Sequence, residues 1–154
     1  MVLAIISILA MVAVPSYVSA TAKDQVKESL DIVEKLKAQV ESFHQNSQAM
    51  PLNNEEAGLP ASDKLLGNYV KSIELENGAF HVLFGNKAVK PLQGKILTVR
   101  AISVVDSPRS PASWVCGYSK VPVGMEAKGE NRSTVPFAML PLSCRAVAAA
   151  ATEH

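Results

Sequence analysis

From Met1 to Val14 the chain reads MVLAIISILAMVAV, an apolar run interrupted only by Ser7 and followed by Pro15. Such a run cannot remain exposed to water and must be placed in lipid or against other apolar surface. Fourteen residues fall short of the ~20 that a helix needs to cross a hydrocarbon core. The length suits the apolar region of a secretory signal, and Ala20-Thr21-Ala22 resembles a small-residue cleavage site, yet no basic segment precedes the run.

The residues that follow favour continuity over cleavage. Between Ala22 and His44 there is no Gly or Pro, and apolar residues fall at Val26, Leu30, Val33, Leu36, Val40 and Phe43. Their steps of three and four residues describe one helix face, which is expected to pack on the rest of the chain. The opposite face carries Lys23, Asp24, Lys27, Glu28, Asp31, Glu34, Lys35, Lys37 and Glu41. A single rod over residues 1–45 would be roughly 65–70 Å long, against a radius of gyration near 13 Å for a domain of about 100 residues. Its front half must therefore project beyond the head. Ile5, Ile6, Ile8, Leu9, Val12, Val14 and Pro15 are expected to form a membrane or filament-core segment, with Pro15 loosening or kinking the rod. On this reading the run is part of a longer apolar helix, and Met1 is an internal or misassigned start.

The remainder predicts an α+β fold, a long N-terminal helix packed on a four-stranded antiparallel sheet. Residues 46–68, with Pro51, Gly58, Pro60 and Gly67, read as a helix-to-sheet loop. Residues 69–154 hold the sheet, a C-terminal loop and a tail. Strands are expected at Tyr69–Leu75, Ala79–Phe84, Lys95–Val105 and Ser113–Tyr118. Asn77-Gly78 marks a tight hairpin. Beyond Tyr118, Pro122, Gly124, Gly129, Pro136 and Pro141 break up any pattern, leaving a segment with little core of its own. The two cysteines, Cys116 and Cys144, allow one disulfide or two reduced thiols, depending on compartment.

Chemistry-bearing motifs are sparse. The formal net charge of +1 does not suggest a dedicated nucleic-acid binder. His44, His81 and His154 are scattered and read as surface or helix-end residues. Ser107, Ser110 and Ser113 lack a nucleophile context. There is no phosphate loop, paired-carboxylate constellation or metal-ligand spacing, so neither an enzyme nor a cofactor is expected. Asn131-Arg132-Ser133 matches a glycosylation sequon. Lys120, Lys128 and Arg132 are the candidates for DNA or receptor contact, although Glu126 and Glu130 offset them.

Together, several stretches resemble the type IVa pilins. Ile5 to Tyr17, with Val14-Pro15-Ser16-Tyr17 at its end, is similar to the N-terminal helix of that family, Ser7 standing at a glycine position. Ala57-Gly58-Leu59-Pro60, Gly67-Asn68-Tyr69-Val70, Asn77-Gly78, Trp114-x-Cys116 and Leu140-Pro141-Leu142-Ser143-Cys144-Arg145 follow in the family's order. The resemblance implies a surface filament, or fimbrium, serving cell adhesion, twitching motility, biofilm formation or DNA uptake, with the Cys116–Cys144 loop as its variable exposed region. Partners implied are copies of itself and other pilins, the inner membrane before assembly, a prepilin peptidase and the pilus machinery. The leader and the Phe-Thr-Leu-Ile-Glu motif that the family carries are not in this chain, so an N-terminal truncation is expected. A minor pilin, a type II secretion pseudopilin and a secreted binding domain with a cleaved signal are the alternatives.

Overall fold

The computed structural model describes the backbone of residues 2–145 and the side chains of residues 17–145. The expected filament-core positions Ile5, Ile6, Ile8, Leu9, Val12, Val14 and Pro15, and His154 in the tail, lie outside the residues whose side chains are described. A helix, α1, runs from Val2 to Ser47, and its backbone stays helical through position 15. Gln48 ends it with φ +59° while its N–H donates to the His44 carbonyl at 2.7 Å, a left-handed cap that satisfies one of the last free carbonyls. Among the described residues no helix is long and apolar enough to cross a membrane.

Five antiparallel strands follow: β1 Val70–Glu76, β2 Ala79–Phe84, β3 Ile96–Val104, β4 Ser113–Cys116 and β5 Met125–Ala127. The order is β1-β2-β3-β4, and β5 also pairs with β3. Asn77 (φ +52°) and Gly78 (φ +85°) form the β1–β2 turn, both in the left-handed region that a two-residue hairpin of this hand requires. The expected four strands are present, with β4 ending at Cys116 and not at Tyr118. The fifth was not expected, because three residues between Gly124 and Gly129 carry no readable alternation.

The core lies between α1 and one face of the sheet. Ala22, Val26, Val33 and Val40 of α1 are fully buried against a cluster that includes Ile73, Leu75, Phe80, Val82, Phe84, Leu97 and Val99. Leu30 and Leu36 pack at its margin. Phe43 is half-buried and lies outside this cluster, whereas its neighbour His44 is buried. The seam continues from Val40 by a step of four, which turns His44 inward and Phe43 aside. His44 is the helix-end residue expected, in the last turn of α1, but it is buried, and His81 is buried where a surface or helix-end residue was expected. The His44 ring donates from Nε2 to the Ser110 carbonyl at 3.2 Å. Gln25 and Ser29 are also buried polar residues on this helix face: Gln25 Oε1 accepts the Val89 N–H at 2.8 Å, and Ser29 Oγ donates to the Gln25 carbonyl.

The helix-to-sheet loop is tied down along its length. Asn54 is buried, accepts the Leu75 N–H at 2.7 Å and donates to the carbonyls of Ile73 and Pro60. One amide side chain thereby stands in for a strand along the outer edge of β1. Phe80 is fully buried, and its ring stacks on Trp114 at 5.6 Å. Phe80→Ala should lower the stability of the head by about 3–5 kcal/mol, measured by urea unfolding followed through Trp114 fluorescence.

Candidate functional site

The chain after β4 is a strap laid across the outer side and open edge of the sheet. Its need follows from β3. This strand has nine residues, but β4 pairs only with Val99–Ile102. The rest of that edge would leave backbone groups without partners. β5 takes Ile102–Val104. The strap takes the other end: Ile96 N–H donates to Thr134 Oγ1 at 2.8 Å, and the Ile96 carbonyl accepts the Thr134 N–H at 2.7 Å. Thr98 N–H donates to Ser133 Oγ at 2.9 Å, and its carbonyl accepts the Gly117 N–H at 2.8 Å. Hydroxyls of Ser133 and Thr134 do here what a strand backbone does elsewhere, so no strand periodicity betrays them in the sequence.

Glycine makes the close approach feasible at Gly129, where φ is +74° and a Cβ would stand 2.6 Å from Ala79 Cβ. The strap then enters the core through Val135, Leu140 and Cys144, all fully buried. Cys144 is joined to Cys116 at the end of β4, with Cα atoms 4.6 Å apart and a sequence separation of 28. Tyr118 Oη donates to the carbonyls of Ser133 and Val135, and Asn131 Nδ2 donates to the Gly117 carbonyl at 2.9 Å. Within the sequon, Asn131 and Ser133 therefore both have structural partners.

The three cations singled out in the strap are placed differently. Lys128 Nζ lies 2.7 Å from Glu126. Arg132 lies 2.7 Å from Glu76, 3.4 Å from Glu74 and 3.8 Å from Glu130. Lys120 is exposed and has no ion-pair partner among the described residues. The structure does not bring the three into one basic patch. Among the described residues no group of three or more His, Cys, Asp or Glu is arranged to hold a metal ion.

Beneath Arg132 lies His81, 4% exposed. Its Nδ1 is 2.8 Å from Thr98 Oγ1, which also accepts the Arg132 backbone N–H at 3.0 Å. The Thr98 hydroxyl thus links the His81 ring to the strap backbone. Nε2 stands 3.6 Å from Glu76 Oε1, beyond hydrogen-bond range. Burial holds the His81 pKa below its ordinary value, and the Arg132 guanidinium lowers it further, against the opposite pull of Glu76 and Glu74.

Two predictions follow from this geometry. Loop-entropy arithmetic over the 28-position separation assigns the disulfide about 3.6 kcal/mol, so a Cys116→Ser, Cys144→Ser chain should unfold at lower urea and expose the strap to limited proteolysis. Between the depressed folded pKa of His81 and its unfolded value near 6.5, the unfolded chain binds more protons. Stability is then full above that upper value and falls as pH drops towards the folded one. The melting temperature should decline as the pH is lowered through the unfolded value of 6.5, and less steeply in His81→Gln.

The assembled picture is a projecting helix, a sheet packed on it and a disulfide-bounded strap, and comparison with known proteins agrees with it. The family model described as pilin, a bacterial filament, matches residues 22–145. The chain is 34% identical to a type IV major pilin protein, PilE1, of Neisseria gonorrhoeae, over 97% of this chain and 84% of that one. It is 35% identical to a fimbrial protein of Neisseria meningitidis serogroup B over 75% of this chain and 66% of that one. It is 30% identical to the fimbrial protein EcpC of Eikenella corrodens over 75% of this chain and 74% of that one. With the fold and the family model agreeing over the whole head, the chain belongs to the pilin family of bacterial filament subunits.

Proposed function

We propose that the chain is a type IV pilus subunit that polymerises through its N-terminal helix and works by assembly, not by catalysis. The observation that carries this is the helix itself. At ~1.5 Å per residue, the 46 residues of α1 extend about 69 Å, and among those whose side chains are described the first in the core is Ala22. The preceding segment holds the apolar run, whose only suitable surroundings are lipid or the same segment of other copies. The inner membrane would hold the subunit before assembly, and a bundle of such helices would hold it afterwards, with a prepilin peptidase and the assembly machinery acting between. The relatives named as type IV major pilins support a pilus over the other readings.

Continuity of α1 also weighs against a cleaved signal. A cut after Ala22 would remove a fully buried core residue, and a cut after Ala20 would fall in mid-helix. In the filament the strap would face outward. Adhesion, twitching motility, biofilm formation and DNA uptake are the uses such a filament serves, and exposed Lys120 is the strap cation best placed for a DNA or receptor contact.

A charge introduced into the apolar run tests the assembly reading, since an unpaired buried charge is strongly disfavoured. Leu9→Lys, expressed in a piliated host lacking its own major pilin, should abolish surface filaments seen by electron microscopy. The head should keep its disulfide and its Trp114 fluorescence. Filaments in normal number from the variant, or a mature N-terminus cut at residue 20 or 22, would sink the proposal.

A further inference from the structure

At the base of the head, where α1 leaves the core, a set of side chains gathers that the assembly reading does not use. Ser19, Lys23, Asp24 and Lys27 on the helix, with Ala138 and Arg145 from the end of the strap, line an open groove of about 580 Å³. Three cations face one carboxylate there. Lys23, Lys27 and Arg145 have no ion-pair partner among the described residues, in contrast to Lys128 and Arg132 higher in the strap. Arg145 is held ready: its Nε donates to the Leu140 carbonyl at 2.8 Å and its guanidinium lies 5.4 Å from the Phe137 ring. The same end of the molecule exposes apolar side chains, with Tyr17 72%, Leu142 66% and Phe137 41% exposed.

We propose that this base is a docking surface for anionic phospholipid headgroups. Lys23 and Arg145 reach the phosphates and Lys27 stands in their surface field, while Tyr17, Phe137 and Leu142 enter the interface, seating the head of the unassembled subunit on the membrane. The proposal rests on the reading that the apolar run is inserted in a bilayer before assembly. Two lengths support it. Tyr17 follows the run closely, and amphipathic aromatics favour the level where hydrocarbon meets headgroup. Lys23 and Lys27 stand six and ten residues further on, about 9 and 15 Å along the helix. The headgroup layer is roughly 5–7 Å deep on each side, and the surface potential extends another ~8 Å at physiological salt. Lys23 therefore falls within the layer or its field, and Lys27 at its outer reach. A lipid surface offers acidic groups and an apolar interior together at the end where the apolar helix enters.

The test uses the full chain in nanodiscs of either pure phosphatidylcholine or a mixture with about one-third phosphatidylglycerol, each doped with a headgroup nitroxide lipid. Nuclear magnetic resonance reads the paramagnetic broadening of the Ala138 and Leu142 amides, which report the head and not the helix. Broadening should be roughly threefold stronger with the anionic lipid, and should fall back by about threefold, to the phosphatidylcholine level, in K23Q/K27Q and in about 0.5 M NaCl. Incorporation into both discs with equal broadening, or with broadening unchanged in K23Q/K27Q, would overturn the docking surface while leaving the membrane stage intact. The cations would then be free to meet acidic groups of a second copy. Failure to incorporate into either disc would remove the membrane reading and the docking surface with it.

Discussion

The seam of Ala22, Val26, Val33 and Val40 on α1 is the contact on which the rest of the fold depends. These four side chains are fully buried against Phe80, Val82, Leu97 and their neighbours. The sheet alone would expose its large apolar face, and α1 alone would expose its stripe. Joined, they remove both from water, at roughly 1.5–3 kcal/mol for each fully buried large side chain. The seam also sets the geometry of function. Among the residues whose side chains are described, its first fully buried member is Ala22, and Tyr17, nearer the apolar run, is exposed.

Once the sheet is fixed on the helix, its two edges need partners, and side chains supply much of what is required. On the β1 edge, Asn54 meets Ile73 and Leu75, and Asn86 Nδ2 donates to the Val70 carbonyl at 2.8 Å. On the β3 edge, Ser133 and Thr134 complete what β4 and β5 leave open. Open strand edges template unwanted pairing between molecules. A subunit of a filament, packed beside its copies, has particular need of closed sheet edges.

The strap combines this structural duty with an exposed outer side. Its inner side is committed, through Val135, Leu140, Cys144 and the hydroxyl contacts to β3, while Glu126, Glu130 and Lys120 remain exposed. The disulfide and the Arg132 pairs with Glu74 and Glu76 hold it against the sheet without occupying its outer side. Exposed ion pairs of this kind contribute little singly, so anchorage rests mainly on the buried residues and the cross-link. His81 is enclosed below it, its Nδ1 against the Thr98 hydroxyl that also accepts the Arg132 N–H.

Local order was legible wherever it left a period or a turn. The three-and-four spacing from Val26 to Val40 placed the helix and most of its packing face. Asn77-Gly78 placed the first hairpin, and the β-branched run around Thr98 and Val99 placed the long strand. The same spacing admitted both Phe43 and His44 at the helix end, and only the sheet's position turned His44 inward. The strap was opaque for a different reason. Its contacts are made by single hydroxyls and amides, at Asn54, Ser133 and Thr134, with partners tens of residues away, and its fifth strand is three residues long. The apolar run, the helix period and the two cysteines thus determined from sequence that a long helix would carry a small head with one potential cross-link. Which edge the cross-linked segment closes, which histidines lie inside and which cations stay unpaired were decided only by tertiary structure, because those properties belong to distances between segments and leave no trace in spacing along the chain.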